Sequence, residues 1–116
     1  MSPEGTAQEA WQRGAPERSP IDVVYIDWHI NPFRADRWYE IWEPAAARVM
    51  AFGAKGWSLT RNVEDPLHFR QAAIWENRGD FERYWYSDEI SGLREEAFNY
   101  FNKPILPVWH VLLAGE

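Results

Sequence analysis

Between Ile21 and Ile30 the chain reads IDVVYIDWHI, and its β-branched and aromatic content predicts a strand. Alternation puts Val24, Ile26, Trp28 and Ile30 on one face and Val23, Tyr25, Asp27 and His29 on the other. The first face suits packing on helices. The second mixes aromatic and polar groups, an unusual composition for a face turned to bulk water. A strand with two such faces constrains the fold strongly, because each face needs its own kind of neighbour.

The rest of the chain supplies the first neighbour. Asn31-Pro32 offers an N-cap followed by proline at the first helical position. Trp38, Ile41, Trp42, Ala45, Val49 and Phe52 then recur at helical spacing. Pro44 lies inside this run and predicts a kink or a restart, and Gly53 and Gly56 close it. A short strand follows over Gly56 to Asn62, a turn at Glu64-Asp65-Pro66, and a third strand from His68 to Trp75. Ala72 and Ala73 hide the alternation of that third strand, so its face stays open. A second helical region begins near Asp80 and restarts at Ser87, with Ile90, Leu93, Ala97 and Phe101 continuing its stripe. LPVWHVLLA, entered through Pro104 and Pro107, predicts the fourth strand. The order β-α-β-β-α-β places helices on one face of an antiparallel sheet. The uncovered face carries Tyr25 and His110 and predicts a homodimer joined sheet to sheet.

Residues 1–20 have a different composition, rich in Pro, Gly and scattered charge, and read as a flexible N-terminal arm before a single domain over 21–116. Trp11 is the arm's one large apolar residue. The net charge of −6 argues against a nucleic-acid partner, because an acidic surface repels phosphate. The absence of cysteine excludes disulfides, thiolate metal sites and a cysteine nucleophile, and fits a cytoplasmic protein. The longest uncharged stretch, Pro104 to Gly115, falls short of the ~20 residues of a membrane helix, so no membrane association is expected. Eight Trp in 116 residues imply a wide apolar surface, either core or a surface shared with a ligand or a second chain.

Gly56-Trp57, Glu64-Asp65-Pro66, Trp75-Glu76, Phe81, Tyr84 and Ser87-Asp88 together give residues 21–114 a resemblance to the dimeric α+β barrel superfamily, specifically the antibiotic biosynthesis monooxygenase-like (ABM) domains. The resemblance implies a ferredoxin-like α+β fold with a four-stranded antiparallel sheet, and a homodimer forming a barrel. It also implies either of two functions. One is a cofactor-independent monooxygenase acting on a small aromatic, quinol- or anthrone-like substrate. The other is a non-catalytic small-ligand binder or dimeric accessory protein. The haem-degrading branch fits poorly: its pocket Trp falls on Tyr84, its haem-ligating His on Arg94 and its Asn on Tyr25 or Asp27. Without an axial histidine, haem iron would need another ligand. No cofactor is expected.

Tyr25, Asp27 and His29 share one side of the first strand, and His110 on the neighbouring fourth strand can join them. A carboxylate beside an imidazole fixes its tautomer and raises its basicity, which suits proton abstraction near neutral pH. His29 or His110 is thus the candidate base and Asp27 its orienter. Trp75, Tyr84 and Trp85 are candidate walls for a flat substrate, with either Tyr84 or Trp85 facing the pocket. Arg70 or Arg94 is the candidate for stabilising an oxyanion. A metal site is not expected. His68 opens the third strand while His29 lies near the end of the first, read as parallel to it, which separates them well beyond a ligand sphere at ~3.3 Å per residue.

Overall fold

The computed structural model describes residues 21–115. Within them β1 (Asp22–His29), α1 (Ala35–Ala47), β2 (Gly56–Arg61), β3 (His68–Trp75), α2 (Arg78–Trp85), α3 (Asp88–Glu96) and β4 (Val108–Val111) follow in order. Short 3-10 segments at Arg48–Phe52 and Phe98–Tyr100 extend the two helical regions. The sheet order is β2-β3-β1-β4 with every pairing antiparallel, the ferredoxin-like βαββαβ arrangement. The arm expected over residues 1–20, with Trp11, lies outside the described residues.

The core sits between the sheet and the helices. Val24, Ile26, Trp28 and Ile30 are fully buried there, as the alternation of β1 predicts. Trp28 packs on Trp42 at 4.5 Å between ring centroids and on Trp38 at 5.2 Å. Trp38 in turn meets Phe69 of β3. Most of the tryptophan excess is therefore core, where large aromatic areas are removed from water.

Two local expectations are corrected. Asn31 does not cap α1, which begins at Ala35 behind Arg34 and has no side-chain cap. Asn31 is spent elsewhere: its amide donates to the carbonyl of Asn99 and its side-chain oxygen accepts from Asn102. Pro32 instead follows the first residue of a turn closed by the Arg34 N–H on the Asn31 carbonyl, and Phe33 takes the positive φ of 67° at its third position. Pro44 does not restart the helix either. α1 runs through it to Ala47 and tightens to 3-10 only from Arg48, because Pro44 removes one N–H while the buried face around Trp42 and Ala45 holds the turn in place. Gly53 ends that segment at φ 108°, and a Cβ there would come within 2.8 Å of the Asp80 carboxylate.

Ser87 starts α3 as predicted, accepting from the Ile90 N–H at 3.2 Å. β4 is shorter than LPVWHVLLA because pairing begins only after Pro107, which has no N–H to give. Among the described residues no helix is long and apolar enough to cross a membrane.

Candidate functional site

β1 lies between β3 and β4, so its outward side chains meet those of both neighbours. The register sets His29 opposite His68, Asp27 opposite Arg70 and Tyr25 opposite Ala72 and Val108. This corrects the separation expected of the histidines. β1 and β3 are antiparallel, and the His29 and His68 rings stack at 4.6 Å, 11° from coplanar. Among the described residues no group of three His, Asp or Glu is placed to hold a metal ion.

Asp27 orients an imidazole, but it is that of His68. His68 Nε2 lies 3.1 Å from Asp27 Oδ1, and the Arg70 guanidinium donates to the same carboxylate at 2.9 and 3.3 Å. Asn62 fixes the tautomer. Its Oδ1 accepts the backbone N–H groups of Glu64 and Asp65, so its Nδ2 must face His68 Nδ1. A neutral His68 therefore accepts at Nδ1 and donates from Nε2 to Asp27. Arg70 holds the Asp27 carboxyl below its ordinary value, and burial lowers that of His29. His110 stands apart from this group, edge-on to Tyr25 at 5.0 Å, while Arg70 lies over the Tyr25 ring at 5.1 Å.

The aromatic candidates divide the other way. β3 turns Phe69, Gln71, Ala73 and Trp75 toward the helices, which settles its open face. Trp75 is core, packed on Phe81 and Tyr84. Tyr84 is also core: its hydroxyl donates to the Ala45 carbonyl at 2.8 Å and accepts from Gln71 Nε2 at 3.2 Å, and burial raises its pKa. Gln71 Oε1 accepts the Trp42 indole N–H at 2.8 Å. Sequence reasoning missed Gln71, because Ala72 and Ala73 hide the alternation that would have marked it as a polar residue on the inner face.

Trp85 and Arg94 meet in a cleft of about 460 Å³ at the exposed end of α3, walled further by Phe98, Phe101 and Ile105. The Arg94 guanidinium lies 4.2 Å over the Trp85 ring, donates to the Trp85 carbonyl and reaches the Ser91 hydroxyl at 3.4 Å. Among the described residues no carboxylate is within ion-pair distance of it, and burial lowers its pKa. Glu95 stands exposed on the rim. Ser91, Arg94, Glu95 and Phe98 follow at i, i+3, i+4 and i+7, the sequence signal that marks this wall. The candidates thus separate: Tyr25, Asp27, His29, Arg70 and His110 lie on the open sheet face, Trp75 and Tyr84 in the core, and Arg94 on the cleft, whose floor is the edge of the buried Trp85.

No protein-family model and no curated protein matches the chain. Solved structures do. A protein from Nitrosomonas europaea described as an antibiotic biosynthesis monooxygenase superposes with a TM-score of 0.76 at 12% identity, covering 83% of this chain and 93% of that one. One from Bordetella bronchiseptica, described in the same words, gives 0.70 at 17% identity, covering 81% and 98%. A single-site variant of SnoaB, a cofactor-independent oxygenase from Streptomyces nogalater, gives 0.71 at 9% identity, covering 83% and 96%. Likeness at such identities is likeness of backbone, and it agrees with the strand order described above. The chain has the fold of the antibiotic biosynthesis monooxygenase structures, as the resemblance of its sequence implied.

Proposed function

We propose that the protein binds a small electron-rich aromatic molecule, of quinol or anthrone type, in the Arg94–Trp85 cleft and oxidises it with dioxygen without a resident cofactor. Arg94 carries this reading. A half-buried guanidinium with no carboxylate partner, stacked on an indole at a cleft mouth, is poised for a flat anion. A phenolic hydroxyl ionises near ~10 in water. An adjacent cation favours its anion, and that anion is the form electron-rich enough to reduce dioxygen. At an anthrone-type CH2, one oxygen atom then stays as the ketone while the second leaves as water with both hydrogens. Phe98 and Phe101 would hold the ring and limit water at the reacting carbon. The fold shared with a cofactor-independent oxygenase supports the same reaction class.

The proton is assigned to Glu95, the carboxylate lining this cleft. His29, His110 and Asp27 stand across the sheet from it. A second reading, a non-catalytic binder, is favoured by one observation: no imidazole lines the cleft. Oxygen uptake with an anthrone separates the two. The oxygenase predicts protein-dependent uptake that falls about a hundredfold in Arg94→Gln, the loss typical of one oxyanion donor. A binder predicts saturable quenching of tryptophan fluorescence with no uptake above the protein-free rate. In an active protein, loss of uptake in a His29→Gln/His110→Gln variant would return the proton to the imidazoles.

We also infer a homodimer through the open sheet face. Val23, Tyr25, Ala72, Ile74 and Val108 share that face, away from the helices, and an apolar sheet surface of this kind is normally covered. A monomer in native mass spectrometry at micromolar concentration would end this inference.

A further inference from the structure

The Arg94 cleft continues past Phe101. A second cleft of about 440 Å³ shares Phe98, Phe101 and Pro104 with it as a common wall. Its other lining is polar, formed by Asn31, Asn99, Asn102 and Lys103. The loop is held in place by hydrogen bonds: Asn102 Nδ2 donates to Asn31 Oδ1 at 2.9 Å, and the Asn102 N–H bonds to the His29 carbonyl at 3.0 Å. Lys103 projects from this held segment and, among the described residues, has no carboxylate within ion-pair distance.

In a chain of net charge −6 that is informative. Arg37, Arg48, Lys55, Arg70 and Arg83 are each matched by a carboxylate. Arg34, Arg61 and Arg78 are not, but they lie over Tyr100, Phe69 and Trp109 and line neither cleft. Arg94 and Lys103 stand unmatched on two clefts with a shared aromatic wall between them, and Phe98 on that wall is 67% exposed. Two unmatched cations flanking one exposed aromatic strip complement an anion at each end of a flat ring system.

We propose that the two clefts form one bipartite site for an aromatic hydroxy acid. Its phenolic oxygen meets Arg94, its ring lies along Phe98 and Phe101, and its carboxylate meets Lys103. This assignment of substrate class rests on the reading of the Arg94 cleft given above.

The test is a pair of titrations of the full chain, followed by tryptophan fluorescence at low salt. One ligand is a hydroxynaphthoate with its two groups at opposite ends of the ring system, the other the naphthol lacking the carboxylate. The hydroxynaphthoate is expected to bind about fivefold more tightly, an advantage of the size an exposed ion pair gives. Lys103→Gln removes that advantage and leaves naphthol binding unchanged, and salt does the same. Lys103→Gln without effect on either ligand overturns the bipartite site, as does an equal effect from Lys55→Gln, a charge removed elsewhere. Arg94→Gln is expected to weaken both ligands. If it weakens neither while its melting temperature matches wild type, the cleft reading itself fails, and the bipartite site with it.

Discussion

Arg70 and Arg94 lie on opposite sides of one sheet and meet opposite circumstances. Arg70, on the open face, is forked onto Asp27, whose carboxylate is shared with His68, itself held by Asn62. Every member of that row has its partner within the chain. Arg94, on the helix side, rests on Trp85 and bonds to a carbonyl and a hydroxyl, with no countercharge. Of the two arginines that the sequence offers for an oxyanion, Arg70 is thus satisfied by Asp27, and Arg94 is the one left to meet a ligand. A carboxylate engaged by two donors is a poor free base, whereas an unmatched guanidinium in an aromatic cleft is a ready anion site.

The same contrast runs along β1, and substitutions on its two faces sharpen it. The largest effect belongs to the helix side. Trp28→Ala removes a fully buried indole packed on Trp38, Trp42 and Phe101, and is expected to cost about 3–5 kcal/mol in urea unfolding. Tyr25→Ala, three strand positions away on the open face, should cost less than half of that in the monomer. Equal losses would break the comparison.

Next comes the buried polar link. Gln71→Ala leaves the Trp42 N–H without its acceptor and the Tyr84 hydroxyl without a donor. A loss of about 2 kcal/mol is expected from the stranded buried groups. Asp27→Asn on the other face, where the ion pair with Arg70 is half exposed, should stay within about 1 kcal/mol.

The smallest effect is read in pH. Burial lowers the pKa of His29 below 6.5 in the folded chain, with His68 and Lys103 adding to it. The unfolded chain therefore binds the proton first, and stability falls as the pH drops through 6.5 toward the lower folded value. Asp27, lowered by Arg70, keeps its contribution above 3.8 and loses it only as the pH falls further, through its own folded value. His29→Gln should flatten the fall in melting temperature that begins as the pH drops through 6.5, and leave the limb due to Asp27 intact. An unchanged profile would show that the His29 imidazole gains its proton equally in both states.

The sequence by itself determined the elements and their order. Alternation in IDVVYIDWHI, the helical stripe from Trp38 to Phe52 and the cap at Ser87 are local signals, each carried by residues a few positions apart. The βαββαβ order then left few ways to build a sheet. Locally ambiguous positions were decided elsewhere. Asn31 reads as a cap but bonds to Asn99 and Asn102, residues about seventy positions away in the chain. Asp27 reads as the partner of His29 on its own strand, yet the antiparallel register brings His68 and Arg70 across to it. Which of Tyr84 and Trp85 borders a cleft was set by distant partners, since Gln71 and Ala45 bind the Tyr84 hydroxyl while Arg94 covers the Trp85 ring. Local structure follows from near-neighbour sterics and spacing, whereas the pairing of polar groups follows from strand register and packing, which arise only once distant segments have come together.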